Sequence, residues 1–299
     1  MHIDVYIALA GLIVGFAVGL TGMGGGALMT PILVLVFGVQ PLAAISSDLV
    51  AALVMKPVGA LVHVGRRTVS WPLVRWLSLG SVPGAFLGVT FLKVLGRGTT
   101  VQSVVQYSLG SVLLLSVAAM AARWRFGATG RTVSGPPLAE GEPFAVRPLA
   151  TTAVGAIVGF IVGITATGSG TLIIVALLFI YPRLRGSQTV GTDLTQAIPM
   201  VGAAALGHII FGDFKLALTL SIVVGSIPGV LAGSLVSSRG STALIRGALC
   251  VVLMASGLKL LNVPTVAIGL ALLVALGSIA AWLGFARIDP AVGRRAAAS

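Results

Sequence analysis

Long apolar stretches separated by short polar breaks dominate this chain. A helix needs about 20 mostly apolar residues to cross the hydrocarbon core of a bilayer. Residues 103–122, 214–236 and 263–285 are clear stretches of this kind. The pattern therefore predicts an all-α polytopic membrane protein.

The apolar pattern occurs twice along the chain. Residues 15–26 and 159–170 match at seven positions at an offset of 144, and both segments end in glycine. Further matches follow in the same order at an offset of 145: Asp48 with Asp193, Met55 with Met200, His63 with His208, and residues 80–84 (GSVPG) with 225–229 (GSIPG). This order and register indicate an internal duplication.

Each half is predicted to begin with an interrupted helix. In the first half an apolar run at 3–20 is followed by a glycine-rich break at 21–26 and a short apolar piece at 27–37. That short piece reaches only ~16 Å, about half of the hydrocarbon thickness. We therefore expect a broken or re-entrant hairpin here and at 148–181. The predicted full spans are 42–64, 73–95 and 102–122, then 189–210, 214–236 and 242–260, with one extra span at 263–285.

The predicted organisation is a first membrane repeat at 1–122, a linker at 123–147, a second repeat at 148–261, and an extra span with a tail at 262–299. Three spans per half reverse the second copy, so two inverted-topology repeats are expected. Most arginines then fall on the side of the linker, which the positive-inside rule makes cytoplasmic. The N-terminus is expected outside as a retained membrane segment, and the C-terminus in the cytoplasm.

Composition agrees with the membrane prediction and argues against several function classes. Hydrophobic residues make up 57% of the chain and charged residues 9%, and the mean hydropathy is +1.09. The net charge of +12 fits the positive-inside rule, so no nucleic-acid partner is expected. The single cysteine and three histidines show no metal-ligand spacing, and residues 22–26 lack the ending of a phosphate loop. Neither an enzyme, a catalytic residue, a metal nor a cofactor is predicted.

The two breaks are the first candidate for substrate contact. A helix that starts inside the membrane presents free N–H groups and a partial positive charge, and glycine allows a ligand to approach that backbone closely. Alternatively, the glycines only allow tight helix crossings. The candidate residues are Thr21, Gly22, Gly24, Gly25 and Gly26 in the first break, and Thr165, Thr167, Gly168, Ser169 and Gly170 in the second.

Polar residues within the spans are the second candidate. Ser47-Asp48 and Thr192-Asp193 occupy matched positions near the starts of two spans, and Lys56 lies deeper in the first of them. Ionisable residues at such depth are costly and are usually functional. The two aspartates equally fit a role as helix N-caps.

Asp48, Asp193, His63 and His208 are also candidates for proton coupling. For the histidines, packing at a helix end is the alternative. Two acids would fit a cation or proton path as well, so a proton- or cation-linked carrier of a metal or cationic solute is an alternative function. A membrane scaffold without transport activity is a third.

At these motifs the sequence resembles the sulfite exporter TauE/SafE family of membrane transporters, also called the TSUP family. The resemblance rests on GLTGMGGGALMTP at 19–31, VGTDLTQAIPM at 190–200 and GHIIFG at 207–212. It implies a transporter in the bacterial inner membrane whose partners are the lipid bilayer and a small anion. Sulfite, sulfoacetate or related organosulfonates are the implied substrates and export the implied direction. Whether the protein forms a homo-oligomer stays open.

Overall fold

The computed structural model describes residues 4–21, 26–65, 67–96, 98–128, 145–184, 186–237, 243–274 and 277. Over these ranges the chain is helical and contains no strand, which confirms the predicted all-α class. The first half contains α1 (Val5–Thr21), α2 (Gly26–Leu35), α3 (Pro41–Gly65), α4 (Trp71–Val94) and α5 (Thr99–Ala128). The second half contains α6 (Pro148–Thr165), α7 (Ser169–Ile180), α8 (Gly186–Phe211), α9 (Leu216–Ser237) and α10 (Ala243–Leu260), and α11 (Thr265–Val274) follows.

Six helices in the described part of the chain are long and apolar enough to cross a membrane, namely α3, α4, α5, α6, α8 and α9. The helices after the two breaks are short: α2 has 10 residues and α7 has 12. They reach only ~15 and ~18 Å, about half of the hydrocarbon thickness, as the sequence predicts.

Two predicted boundaries differ from the structure or leave the described part. Helix α5 continues to Ala128, so the first residues of the predicted linker are helical. Its sequence explains the extension, because residues 123–128 contain no proline and end before a Gly-rich stretch. Residues 129–144 of the predicted linker lie outside the described residues. The predicted extra span is described at 263–274 and at 277, and the rest of it lies outside.

The two halves interlock through their first helices. Helix α1 packs along α9 of the other half, and α6 packs along α4 in the matching arrangement. A β-carbon at Gly84 would overlap the backbone oxygen of Ala156, and one at Gly229 would overlap that of Leu12. Because these two contacts are related by the offsets of the duplication, the packing interface is duplicated together with the sequence. Such backbone-to-backbone approach gives close van der Waals packing in lipid.

Equivalent helices of the two halves also meet each other at the centre. The start of α3 contacts the end of α8, where Ser46 Oγ lies 2.9 Å from His208 Nδ1. The end of α3 approaches the start of α8, where a β-carbon at Gly59 would lie 3.8 Å from Leu194. The two helices therefore run antiparallel. Helices α5 and α10 do the same, since Met120 contacts Cys250 and Gln106 donates to the carbonyl of Leu260.

Replacing Gly84 with alanine should destabilise the protein, because the added methyl group meets backbone of α6 that cannot rotate away. We expect a loss of about 1–3 kcal/mol, typical of overpacking. The midpoint of detergent-induced unfolding of the purified protein measures it. Gly59→Ala is the matched control, because its β-carbon would have ordinary contacts with Leu194 and should leave the midpoint unchanged or higher. Equal midpoints for the two variants would contradict the close-packing interpretation.

Candidate substrate-binding site

The two helix breaks, which lie in different halves of the sequence, are in direct contact. Thr167 Oγ1 in the second break donates a hydrogen bond of 2.9 Å to the carbonyl of Gly26 in the first. A β-carbon at Gly26 would overlap the carbonyl of Ala166 and lie 3.1 Å from Asp48 Oδ2. Only glycine therefore fits where the start of α2 crosses the second break. The contact places both breaks at one point in the protein interior.

The second break is a tight turn that leads into the buried start of α7. Ala166 (φ 57°) and Gly168 (φ 103°) both have left-handed backbone conformations. Thr165 Oγ1 donates to the carbonyl of Ile161 and lies 3.3 Å from the N–H of Thr167, so its hydroxyl holds the turn together. Within the described part of the chain no side chain caps the N-terminus of α7. Its first N–H groups, which have no acceptor within the helix, are therefore available to a ligand.

Lys56 brings a buried positive charge to this same helix end. The Nζ atom donates a hydrogen bond of 2.9 Å to Ser169 Oγ in the first turn of α7, and the residue is only 9% exposed. An ammonium group has three N–H donors. Among the described residues Ser169 is the one that accepts a hydrogen bond from it. The ammonium and the helix N-terminus have the same electrostatic preference, which is for an anion.

Two buried carboxyl groups complete the polar cluster. Asp48 Oδ2 accepts a hydrogen bond of 2.7 Å from Thr30 Oγ1, whereas Oδ1 has no partner among the described residues. Asp193 Oδ1 accepts a long hydrogen bond of 3.4 Å from Gln196 Nε2. Lys56, Asp48 and Asp193 are all buried. The cluster therefore contains one buried lysine and two buried acids.

A small cavity lies where these elements meet, with room for about one water molecule. Its lining comes from both breaks and from the facing surfaces of α3 and α8: Gly26, Ala27, Gly168, Ser169, Gly170, Ala52, Lys56 and Val201. Lys56 and Val201 are matched positions of the two halves, so equivalent positions of α3 and α8 meet at the cavity. Gly26, Lys56, Gly168, Ser169 and Gly170 are thus predicted site residues that the fold brings together.

Ser47 and Thr192, which the sequence suggested as substrate contacts, lie away from the cavity. Thr192 Oγ1 accepts a hydrogen bond of 3.0 Å from the N–H of Ser70, directly before α4. Ser47 Oγ accepts one of 3.4 Å from the N–H of Lys215, directly before α9. Each hydroxyl thus binds the start of a helix in the other half, and neither residue lines the cavity.

The histidines also lie away from the cavity. His208 is buried, with Nε2 2.8 Å from the carbonyl oxygen of Gly163 and Nδ1 2.9 Å from Ser46 Oγ. His63 lies at the end of α3, where Nδ1 is 3.0 Å from Thr68 Oγ1. In the first break Thr21 ends α1, and Gly22, Gly24 and Gly25 lie outside the described residues.

Two residues of the cluster were missing from the sequence-based prediction. Thr30 binds Asp48 from α2, and Gln196 joins Asp193 to Ser81 of α4 through a contact of 3.2 Å with the serine hydroxyl. Gln196 follows Asp193 by three residues, so both lie on one face of an apolar helix. That spacing of a polar residue beside an intramembrane acid was the available signal. No such signal existed for Thr30, because its contact depends on how α2 packs against α3.

Comparison with known proteins gives a consistent result. The family model for sulfite exporter TauE/SafE matches residues 7–260. The probable membrane transporter protein YjnA of Bacillus subtilis is 36% identical over 259 residues, which cover 86% of this chain and 100% of the relative. A probable membrane transporter protein of Xylella fastidiosa is 28% identical over 232 residues, or 77% of this chain and 83% of the relative. No solved structure matches the chain.

The match of the family model covers most of the chain. It includes both breaks, the ionisable residues Lys56, Asp48 and Asp193, and the close contacts of α1 with α9 and of α4 with α6. The relatives are similar over nearly the same span. The chain is a multi-pass membrane transporter and belongs to the sulfite exporter TauE/SafE family.

Proposed function

We propose that this protein is a secondary transporter that exports a small anion, namely sulfite, sulfoacetate or a related organosulfonate. The observation that carries the proposal is the position of Lys56, whose ammonium contacts Ser169 in the first turn of α7, at the point where the two breaks meet. Sulfite and sulfonate groups offer compact anionic oxygens that accept hydrogen bonds from an ammonium and from backbone N–H groups. The family name gives the same substrate class.

The proposed mechanism is alternating access between two inverted repeats. The antiparallel course of α3 and α8, which are equivalent helices, supports this arrangement. The cavity between them is too small for a sulfonate, which fits an occluded conformation that must open toward one side or the other. We place the protein in the bacterial inner membrane with the N-terminus outside and the linker and C-terminus in the cytoplasm, following the arginine distribution.

The alternative of a proton- or cation-linked carrier has one specific observation in its favour. The cluster holds two carboxyl groups, Asp48 and Asp193, and Asp48 has an oxygen without a partner among the described residues. A metal or cationic solute bound there would meet the ammonium of Lys56, which opposes it. A competition experiment separates the anion transporter from the cation carrier. If the protein transports anions, excess unlabelled sulfite should block uptake of labelled sulfoacetate, whereas divalent metals and organic cations should not.

Replacing Lys56 with alanine should weaken anion binding, because Lys56 is the one charged donor among the described residues of the site. Hydrogen bonds to charged groups contribute about 1.5–3 kcal/mol, so we expect the KM for sulfite or sulfoacetate to rise by about 10- to 100-fold. Counterflow of the labelled anion in proteoliposomes measures it.

Lys215→Ala is the matched control for this test. Its side chain is half exposed and lies 3.9 Å from Asp213, so its removal should leave the KM unchanged. A folded Lys56→Ala protein with a normal KM would show that the site assignment is wrong. Absence of sulfite and sulfonate counterflow in the unmodified protein would contradict the proposed function itself.

The proposed topology has a separate test in cells. A cysteine introduced at Gly130 in the linker should be protected from an impermeant thiol reagent, because we place the linker in the cytoplasm. A cysteine at Gly98, in the loop between α4 and α5, should react because that loop is placed outside. Cys250→Ser serves as the common background. The opposite pattern of labelling would reverse the proposed orientation.

A further inference from the structure

The polar cluster has an excess of negative charge that an anion transporter must neutralise. Lys56 supplies one positive charge, whereas Asp48 and Asp193 can supply two negative charges, and all three side chains are buried. With every group ionised, the cluster has a net charge of −1 before any anion enters. Adding a second negative charge to a site removed from water is strongly unfavourable. Entry of the anion is therefore coupled to the neutralisation of one carboxylate.

The contacts distinguish the two acids. Asp193 Oδ1 accepts a hydrogen bond from Gln196, and neither oxygen of Asp193 is buried without a partner in the described structure. Asp48 Oδ2 accepts a hydrogen bond from Thr30. Its other oxygen is buried without a partner in the described structure. A carboxylate needs donors at both oxygens, whereas a protonated carboxyl group needs an acceptor at one of them.

Among the described residues, the other groups near Asp48 do not compensate its charge. From α2 it meets Thr30, which is uncharged, and from α8 the nearest acid is Asp193. His208 of α8 binds Ser46 and Gly163 instead of a carboxylate. Lys215, before α9, has a half-exposed side chain beside Asp213, and α5 contributes the neutral amide of Gln102, which binds the N–H of Leu42.

We propose that Asp48 binds a proton whenever the anion binds next to Lys56, so that one proton crosses the membrane with each monovalent anion. This inference rests on the proposed anion transport and adds its coupling. Because the proton moves with the anion in either direction, an acidic exterior opposes export, and net export occurs when the cytoplasmic anion exceeds the external anion by more than about tenfold per unit of pH difference. An O–H bond forms at Asp48 with a proton from water on the side where the anion enters, and it breaks where the anion leaves. In the loaded form the anion replaces the charge of the Asp48 carboxylate. The cluster has a net charge of −1 in both forms, so the transport cycle is electroneutral.

The test uses the purified full-length protein in proteoliposomes with labelled isethionate, an organosulfonate that stays ionised over the working pH range. Counterflow exchange first establishes that the anion is transported. With the outside more acidic by ~1 pH unit, one-to-one coupling should concentrate isethionate inside by about tenfold. An imposed potassium–valinomycin potential should not change this accumulation, and a trapped pH dye should report acidification during uptake.

The informative variant is Asp48→Asn, which keeps the size of the neutral carboxyl group but cannot exchange a proton. Exchange should remain measurable, whereas accumulation driven by the pH difference should disappear. Net flux should then follow membrane potential, with about tenfold accumulation for an inside-positive potential of ~60 mV. Asp48→Glu should restore accumulation driven by the pH difference. Asp213→Asn, on the exposed loop before α9, is the control and should behave as the unmodified protein.

Three results would overturn the proposal. The first is that the unmodified protein exchanges isethionate but does not accumulate it under a pH difference. This result would reject the coupling while the proposed anion transport still stood. The second is accumulation driven by the pH difference that survives in Asp48→Asn. The third is loss of that accumulation in Asp193→Asn but not in Asp48→Asn. If neither sulfite nor isethionate exchanges in the unmodified protein, the proposed function fails, and the inference fails with it.

Discussion

Backbone polar groups that are released inside a bilayer must find partners within the protein, because lipid offers none. The chain is broken between α1 and α2 and between α6 and α7, and each break releases such groups. The structure brings the two breaks together, where Thr167 satisfies the carbonyl of Gly26 and the start of α7 faces Lys56. The polar cluster at the centre of the protein is therefore tied to the way the helices are broken.

The halves that provide these breaks cannot act as separate units. The first helix of each half lies along a helix of the other, in crossings so close that a single β-carbon would collide with backbone. The hydroxyls of Ser47 and Thr192 add a second link, since each binds the start of a helix in the opposite half. In the proposed transport cycle these crossings would therefore move as rigid elements, and the motion would occur between α3 and α8 with their attached short helices.

Much of this could be predicted from the sequence, for identifiable reasons. Apolar length gave the spans, and glycines at matched positions gave the breaks, because both are local properties of the chain. Lys56 and the aspartates were recognisable because charge is rare inside a membrane. Tertiary facts were not accessible: the packing of α1 on α9, the hydrogen bond from Thr30 to Asp48, and the capping role of Ser47 depend on which helix lies opposite. The continuation of α5 to Ala128 was missed because the basic residues after Ala122 suggested a loop, whereas they are compatible with a helix that extends beyond the membrane.

The duplication is not symmetric at its centre, where Lys56 in one half faces Val201 in the other. A perfectly symmetric pair of inverted repeats would relate the inward-open and outward-open forms by a two-fold rotation and give them equal energies. One ammonium beside α7 removes that equivalence. In the proposed transport cycle the two open forms then have different energies, so a single unpaired substitution between the repeats sets the affinity that the anion meets at each face of the membrane.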